Sequence, residues 1–144
     1  LHDERARLLG GMGHSVSDAS IRSICTGLPR VLARWDEVLE LARSALLAKF
    51  DYDYPRMRDS GFGWPVVDMR LKYVRPATFG QNLKIRAMIT EWENRLRIDY
   101  LISDALTGKK VNTAYTIQVA VNMATREMCF VCPPVLWERL GVAP

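Results

Sequence analysis

The sequence has few cysteines and no long apolar run, and these two shortages narrow the class of protein. Its 144 residues include three cysteines, Cys25, Cys129 and Cys132. An odd number argues against a disulfide framework and favours a reducing compartment, so we expect a cytoplasmic protein. No stretch approaches the roughly 18 consecutive apolar residues of a transmembrane helix, and the mixed acids and bases of LHDERARLLGGMGHS do not resemble a secretory signal. We therefore expect no membrane partner.

The motif CFVC, from Cys129 to Cys132, has the spacing of a redox or metal-binding pair. It lies in an apparent strand, EMCFV, and no second cysteine or histidine pair accompanies it. Side chains three positions apart on a strand point to opposite faces, so the two thiols would diverge. We predict packed structural cysteines and no metal site.

The excess of basic over acidic residues is also small, since the formal net charge is only +4. The basic residues are scattered and mostly alternate with apolar ones. A nucleic-acid interface would need clustered basic residues beside exposed aromatic rings. We therefore expect no nucleic-acid partner, although a small ligand with phosphate groups remains compatible with this charge.

One long helix is predicted in GLPRVLARWDEVLELARSALLAKF, residues 27–50. Pro29 suits its first turn, and we place the helix from Pro29 to Phe50. Apolar residues recur along it at three- and four-residue spacing and form one buried stripe, namely Val31, Trp35, Val38, Leu39, Ala42, Leu46 and Phe50. The following DYDYPRMRDSGFGWP contains prolines and glycines that break this period, which predicts a loop.

From Val66 onward the apolar period changes to two, which is typical of strands. The predicted strands are VVDMRLKYV, NLKIRAMITEWE, RLRIDYLIS, KVNTAYTIQVAV and the shorter EMCFV. Their apolar faces contain Val67, Met69, Leu71 and Tyr73; Leu83, Ile85, Ala87 and Ile89; Leu96, Ile98, Tyr100 and Ile102; and Val111, Thr113, Tyr115, Ile117, Val119 and Val121. The connections are too short for crossover helices, so neighbouring strands must be antiparallel.

These elements predict an α+β hotdog fold, in which a curved antiparallel sheet wraps around one long central helix. We expect a single domain over residues 1–144, with residues 1–14 as a candidate flexible arm. One such protomer leaves edge strands exposed. We therefore expect a homodimer, or a tetramer built from two dimers.

Three segments resemble the 4-hydroxybenzoyl-CoA thioesterase-like acyl-CoA thioesterases of the hotdog superfamily. They are LELARSALL, DYDYPRMRDSGFGWPVVDMRLKYVRPATFGQ and EWENRLRIDYLISDALTGKKVNTAYTIQVAVN. The resemblance implies hydrolysis of a fatty or aromatic acyl thioester of coenzyme A or an acyl carrier protein. It implies backbone donors at the helix N-terminus and a nearby carboxylate that attacks directly or activates water. It implies no cofactor, since coenzyme A is part of the substrate.

The resemblance also suggests site residues. Glu40 lies on the helix where the family usually has an acid, and is our candidate catalytic residue; the alternative is a surface acid paired with Arg43. Arg75 is a candidate contact for a coenzyme A phosphate, or else an exposed loop arginine. Candidates for lining the acyl pocket, with ordinary core packing as the alternative, are Tyr54, Met57, Trp64 and Val66.

The sequence departs from the family pattern before the helix. The family's aspartate would fall at or beside Cys25, where SIRSICTGLPRVLARWDEVLE has neither an aspartate nor a His-Gly pair. One hypothesis is a protein that lost hydrolysis and became a non-catalytic acyl-thioester binding or assembly module. Another is a reading-frame error within residues 18–38, because the codons CTG GCA CGG TGG for Leu32 to Trp35 would give Trp-His-Gly in the next frame. A dehydratase-like hotdog is disfavoured, since its histidine and acid are also absent.

Overall fold

The computed structural model describes residues 17–20, 35–76 and 82–142. These residues form three helices and seven strands in an α+β arrangement, as predicted. In chain order the elements are β1 (Ser17–Ser20), α1 (Trp35–Ala48), α2 (Tyr54–Asp59), β2 (Phe62–Gly63), β3 (Val66–Tyr73), β4 (Leu83–Glu91), β5 (Leu96–Asp104), β6 (Lys110–Gln118), β7 (Val121–Asn122) and α3 (Pro134–Leu140). None of the described helices is long and apolar enough to cross a membrane.

Helix α1 buries the predicted apolar stripe against the sheet. Its buried residues are Trp35, Val38, Leu39, Ala42, Leu46 and Leu47, and Phe50 is buried just beyond its end. A fully buried side chain of this size contributes about 1.5–3 kcal/mol through the hydrophobic effect. Three predicted features lie outside the described residues. They are the helix start at Pro29, the buried position of Val31, and the departure from the family pattern around Cys25.

A five-stranded sheet in the order β1-β4-β5-β6-β3 covers the helix. Every neighbouring pair is antiparallel, which confirms the direction predicted from the short connections. All the residues predicted for the apolar faces of β4 and β5 are buried. Burial largely alternates from one residue to the next along both strands. Strand β1 was not predicted, and its four residues pair with β4.

The prediction of which residues of β6 face the core was wrong. Ile98 of β5 lies opposite Thr116, Tyr100 opposite Ala114, and Ile102 opposite Asn112. Directly opposed residues share a face, so the polar Asn112 and Thr116, together with Ala114, face the core. Tyr115, predicted to face the core, points outward, where the guanidinium carbon of Arg97 lies 4.2 Å from the centre of its ring. Two of the apolar residues on that outer face, Val111 and Ile117, are nevertheless buried.

Strand β3 is an edge of the described sheet and pairs only with β6. A register shift between Val66 and Asp68 places Val66, rather than the predicted Val67, opposite Gln118 on the helix-facing side. Beyond the shift, Met69 and Tyr73 follow on that side, as predicted. The large apolar residues exposed along this strand and just beyond it are Val66, Val67, Met69, Tyr73 and Val74.

Two predictions of irregular or extended structure were also wrong. The predicted loop from Asp51 to Pro65 contains α2 and β2. Asp53 caps α2 by accepting a hydrogen bond from the backbone of Arg56, and a proline occupies the first turn, a combination that favours a helix start. The predicted strand EMCFV is reduced to one isolated bridge between Val121 and Met128.

Candidate active site

A cavity of about 330 Å³ lies between helix α1, helix α2 and the ends of β2, β3 and β6. Its apolar lining includes Leu47, Tyr54, Met57, Phe62, Trp64 and Val66, and its polar lining includes Glu40, Arg43, Ser44 and Gln118. The cavity thus brings together five of the six predicted site residues. The sixth, Arg75, lies exposed beyond the end of β3, where its backbone N–H donates to the oxygen of Val111 across 3.0 Å.

A second, more open cavity of about 390 Å³ runs along the edge strand β3. Its lining includes Asp36, Val67, Asp68 and Met69, together with Glu40, Arg43 and Val66. Because the last three also line the first cavity, they stand between the two spaces. A ligand that filled both spaces would have to pass the Glu40 carboxylate and the Arg43 guanidinium.

A chain of hydrogen bonds holds the aromatic wall of the first cavity. Ser60 donates through its hydroxyl to the backbone oxygen of Met57 across 2.6 Å. Since that hydroxyl has a single proton, it must accept the bond from the Tyr52 hydroxyl, 2.9 Å away. The Tyr52 oxygen in turn accepts from the Trp64 indole nitrogen across 3.0 Å. This chain fixes the orientation of the Trp64 ring.

Arg43 connects helix α1 to the polar inner face of the sheet. Its Nη1 lies 3.5 Å from the hydroxyl of Tyr100, and that hydroxyl is 2.7 Å from Oγ1 of Thr116. Burial raises the pKa of Tyr100 above the ordinary value for tyrosine, despite the opposing contributions of Thr116 and Arg43. Tyr100 is therefore a neutral hydrogen-bonding group at physiological pH and leaves the positive charge of Arg43 uncancelled.

Glu40 is exposed and its carboxylate makes no hydrogen bond or ion pair with any described residue. The alternative of a surface pair with Arg43 is therefore not formed, since Arg43 is directed to Tyr100 instead. A carboxylate in this state is available to accept a proton or to attack a bound group.

Gln118 is a cavity residue that sequence reasoning did not select. Its Nε2 donates to the backbone oxygen of Trp64 across 2.8 Å, whereas its Oε1 is buried and has no hydrogen-bond partner. Gln118 was missed because the sequence pattern gave the wrong inward face for β6. The observed register places Gln118 on the inner face, opposite Leu96 and Val66.

The cysteines offer no second reactive centre in the described part of the chain. Cys129 and Cys132 form no disulfide with each other. Burial raises the pKa of Cys132 to about 12, which keeps it a neutral thiol and a poor nucleophile near pH 7. Within residues 35–76 and 82–142 there is also no cluster of three or more His, Cys, Asp or Glu side chains that could hold a metal ion.

Comparison with known proteins gives the family of the chain. Residues 33–140 match the Thioesterase-like superfamily. A 1,4-dihydroxy-2-naphthoyl-CoA hydrolase from Picosynechococcus sp. is 33% identical over 94 residues, which make up 61% of this chain and 63% of that protein. The similar segment therefore spans less than two thirds of that relative's length.

Solved thioesterase structures share the fold. A 1,4-dihydroxy-2-naphthoyl-CoA thioesterase from Synechocystis superposes with a TM-score of 0.72 at 18% identity, over 88% of this chain and 95% of that chain. A Lactobacillus plantarum structure provisionally identified as an oleoyl thioesterase gives a TM-score of 0.77 at 17% identity, over 92% of this chain and 53% of that one. The predicted hotdog fold is confirmed, and the chain belongs to the thioesterase-like superfamily.

Proposed function

We propose that this chain is an acyl-CoA thioesterase acting on an aromatic acyl group, with Glu40 as its catalytic carboxylate. The observation that carries the proposal is the position of Glu40. Its carboxylate has no partner among the described residues and lies between two cavities, beside Arg43. The family supports thioester hydrolysis, and the name of the Picosynechococcus relative supports an aromatic acyl-CoA.

In the proposed reaction, Glu40 accepts a proton from water as the water oxygen attacks the thioester carbonyl carbon. The resulting oxyanion carries a negative charge that a fixed positive group stabilises, and Arg43 is the cationic side chain that lines both cavities together with Glu40. The C–S bond then breaks, and the departing thiolate takes up the proton held by Glu40. The products are a carboxylic acid and coenzyme A.

The two cavities suggest how the substrate is divided. The first is walled by Tyr54, Met57 and Trp64 and suits an apolar acyl group. The second is open along β3 and suits the pantetheine arm. This division places the thioester carbonyl at the boundary, near Glu40. The cytoplasmic location expected from the cysteine content is part of the same proposal.

A homodimer through β3 is a further part of the proposal. Within the part of the chain that the structure describes, the outer edge of this strand has no neighbouring strand, and it carries exposed apolar residues such as Val67 and Met69. A second copy paired along β3 would cover these residues and close the open cavity. Sedimentation equilibrium of the wild type and of Met69→Asp tests it, with a dimer expected for the first and a shift to monomer for the second. A wild-type monomer at micromolar concentration would contradict it.

The catalytic proposal is tested by hydrolysis of a panel of aromatic and fatty acyl-CoA thioesters, followed by release of free thiol. We expect Glu40→Gln to lower kcat about 100-fold or more, as loss of a general base does, without lowering the melting temperature. The matched control is Glu37→Gln, an exposed acid on the same helix that lines neither cavity.

Other outcomes have definite meanings. Binding of acyl-CoA without turnover by the wild type would support the non-catalytic binding module and contradict hydrolysis. Equal turnover by Glu40→Gln and wild type would remove Glu40 from the mechanism. Turnover confined to acyl carrier protein thioesters would contradict coenzyme A as the carrier.

A further inference from the structure

A glycine and a methionine form one wall of the first cavity. Gly63 on β2 and Met123, the residue after β7, both line this space. A Cβ atom on Gly63 would lie 2.9 Å from Sδ of Met123 and 3.9 Å from its Cγ. Nonbonded heavy atoms are best separated by about 3.5–4.0 Å. The thioether of Met123 therefore rests on the backbone of Gly63 and occupies the space that a larger residue there would need.

The backbone of Met123 is fixed, whereas its side chain has room to move. Its N–H donates to the oxygen of Gly61 across 3.0 Å. The turn that follows is held by Asn122, whose side-chain oxygen accepts from the backbone N–H groups of Ala124 and Thr125. Met123 itself is 57% exposed, and a methionine side chain has three rotatable bonds and a polarisable sulfur. It can therefore reshape this wall without any movement of the backbone.

This wall lies away from the proposed reaction centre. Gly63 and Met123 line only the first cavity, whereas Glu40 stands where the two cavities meet. Leu47, which also lines only the first cavity, follows Glu40 on α1 by about two helical turns, or about 10 Å. An acyl group whose carbonyl lies near Glu40 extends into this part of the cavity, and the wall limits how far it can reach.

We propose that Met123, resting on Gly63, is a specificity-determining residue that sets the size limit of the acyl group. This inference rests on the proposed thioesterase function and adds the element of the cavity that selects substrates by length. An acyl group that reaches this wall must displace the thioether or leave part of its apolar surface in water. Each methylene group that stays in water loses the gain of burial. Shorter acyl groups meet no such cost.

The kinetic test uses phenyl-terminated acyl-CoA thioesters that begin with benzoyl-CoA and gain one methylene group at a time between the ring and the carbonyl. For the wild type we expect kcat/KM to rise with length and then to fall. Met123→Ala should move the maximum to a longer substrate. It should also raise kcat/KM beyond the wild-type limit about tenfold, which corresponds to roughly two further buried methylene groups. Met123→Trp should move the maximum to a shorter substrate.

The matched control is Met128→Ala. Met128 forms a bridge to Val121 of β7 and is similarly exposed, but it does not line the cavity. This truncation should leave the maximum in place.

Gly63→Ala tests the contact itself, because the added Cβ displaces the thioether of Met123. It should shift the maximum when Met123 is present. In the double variant Gly63→Ala/Met123→Ala, it should have no effect beyond that of Met123→Ala, as expected for two residues that act through one contact. An equal shift in both backgrounds, or no shift in either, would overturn the role of this contact.

A binding test separates this inference from the hydrolysis proposal. The probes are the corresponding phenylalkyl thioethers of coenzyme A, which cannot be hydrolysed, measured by calorimetry on the wild type and Met123→Ala. We expect the tightest-binding probe to be longer for Met123→Ala than for the wild type. Because Met123 is exposed, we expect the two proteins to have similar melting temperatures.

The outcomes are distinguishable. Hydrolysis with the same maximum in the wild type, Met123→Ala and Met123→Trp would overturn the role of Met123 and leave the proposed function intact. A longer preferred probe for Met123→Ala, with no turnover of any substrate, would support Met123 and contradict hydrolysis. An equal loss for every acyl length in Met123→Ala would assign this residue a structural role alone and overturn the inference.

Discussion

Arg43 on helix α1 reaches the hydroxyl of Tyr100 on strand β5, with 3.5 Å between Nη1 and the phenolic oxygen. The contact is long for a hydrogen bond. It directs the guanidinium toward the sheet and involves only Nη1 among the donor groups of Arg43. Arg43 is half-buried and lines both cavities beside Glu40. The helix therefore presents a carboxylate and a cation to the same space.

We expect Arg43→Met to lower kcat/KM about tenfold to a hundredfold, because a hydrogen bond from a charged donor contributes about 1.5–3 kcal/mol. Arg139→Met, an exposed arginine on α3, is the matched control and should retain full activity. Steady-state kinetics on an aromatic acyl-CoA checks both variants. Retained activity in Arg43→Met would exclude this residue from the stabilisation of the oxyanion.

Tyr52→Phe should destabilise the fold by about 1–3 kcal/mol, because it leaves the buried indole N–H of Trp64 without an acceptor. The matched control is Tyr115→Phe, whose hydroxyl makes a long, exposed contact of 3.4 Å to Asp68. That control should change the stability by less than about 0.5 kcal/mol. Urea denaturation measures the difference, and equal stability of the two variants would refute the hydrogen-bond chain.

Asn112→Leu should stabilise the protein by about 1 kcal/mol or more, because both side-chain amide atoms of Asn112 are buried without partners. Leucine has a similar size and replaces them with apolar atoms. Asn122→Leu is the matched control and should destabilise, since its oxygen accepts from the backbone of Ala124 and Thr125. Thermal unfolding measures both, and a lower melting temperature for Asn112→Leu would show that this amide is satisfied in solution.

The stability should fall as the pH rises above about 9. Burial raises the pKa of Cys132 to about 12 and raises the pKa of Tyr100 above its ordinary value of 10.0. The unfolded chain therefore releases these protons at a lower pH than the folded chain does, so unfolding becomes more favourable as the pH rises. Denaturation midpoints between pH 8 and pH 11 measure the slope.

Cys132→Ala should make that slope shallower, whatever its effect on stability at pH 8. A second readout is alkylation of the native wild type at pH 8, in which Cys132 should stay unmodified because it is buried and neutral. An unchanged slope together with rapid alkylation of Cys132 would contradict its raised pKa.

The architecture could be predicted because it depends on local patterns. The 3.6-residue period from Trp35 to Phe50 and the period of two in β4 and β5 report which side of each element is buried. The short connections then leave antiparallel pairing as the only arrangement. The residues quoted for the family resemblance likewise lie mostly within these regular elements.

Strand β6 shows where a local pattern fails. Apolar and polar residues alternate along it, and the larger apolar side chains at Val111, Tyr115 and Ile117 suggested the core face. The register with β5 places Asn112 and Thr116 inside instead. Their burial could not be read from the sequence, because a polar residue becomes an inner residue only through its cross-strand neighbours.

The sequence by itself determined one helix, an antiparallel sheet and the candidates Glu40, Tyr54, Met57 and Trp64. Only the tertiary structure decided that these residues surround one cavity, that Arg43 is directed to the sheet, and that the oxygen of Gln118 is left without a partner. The physical reason is that periodicity is set by neighbours along the chain, whereas a cavity and its unmet hydrogen bonds are set by contacts between distant segments.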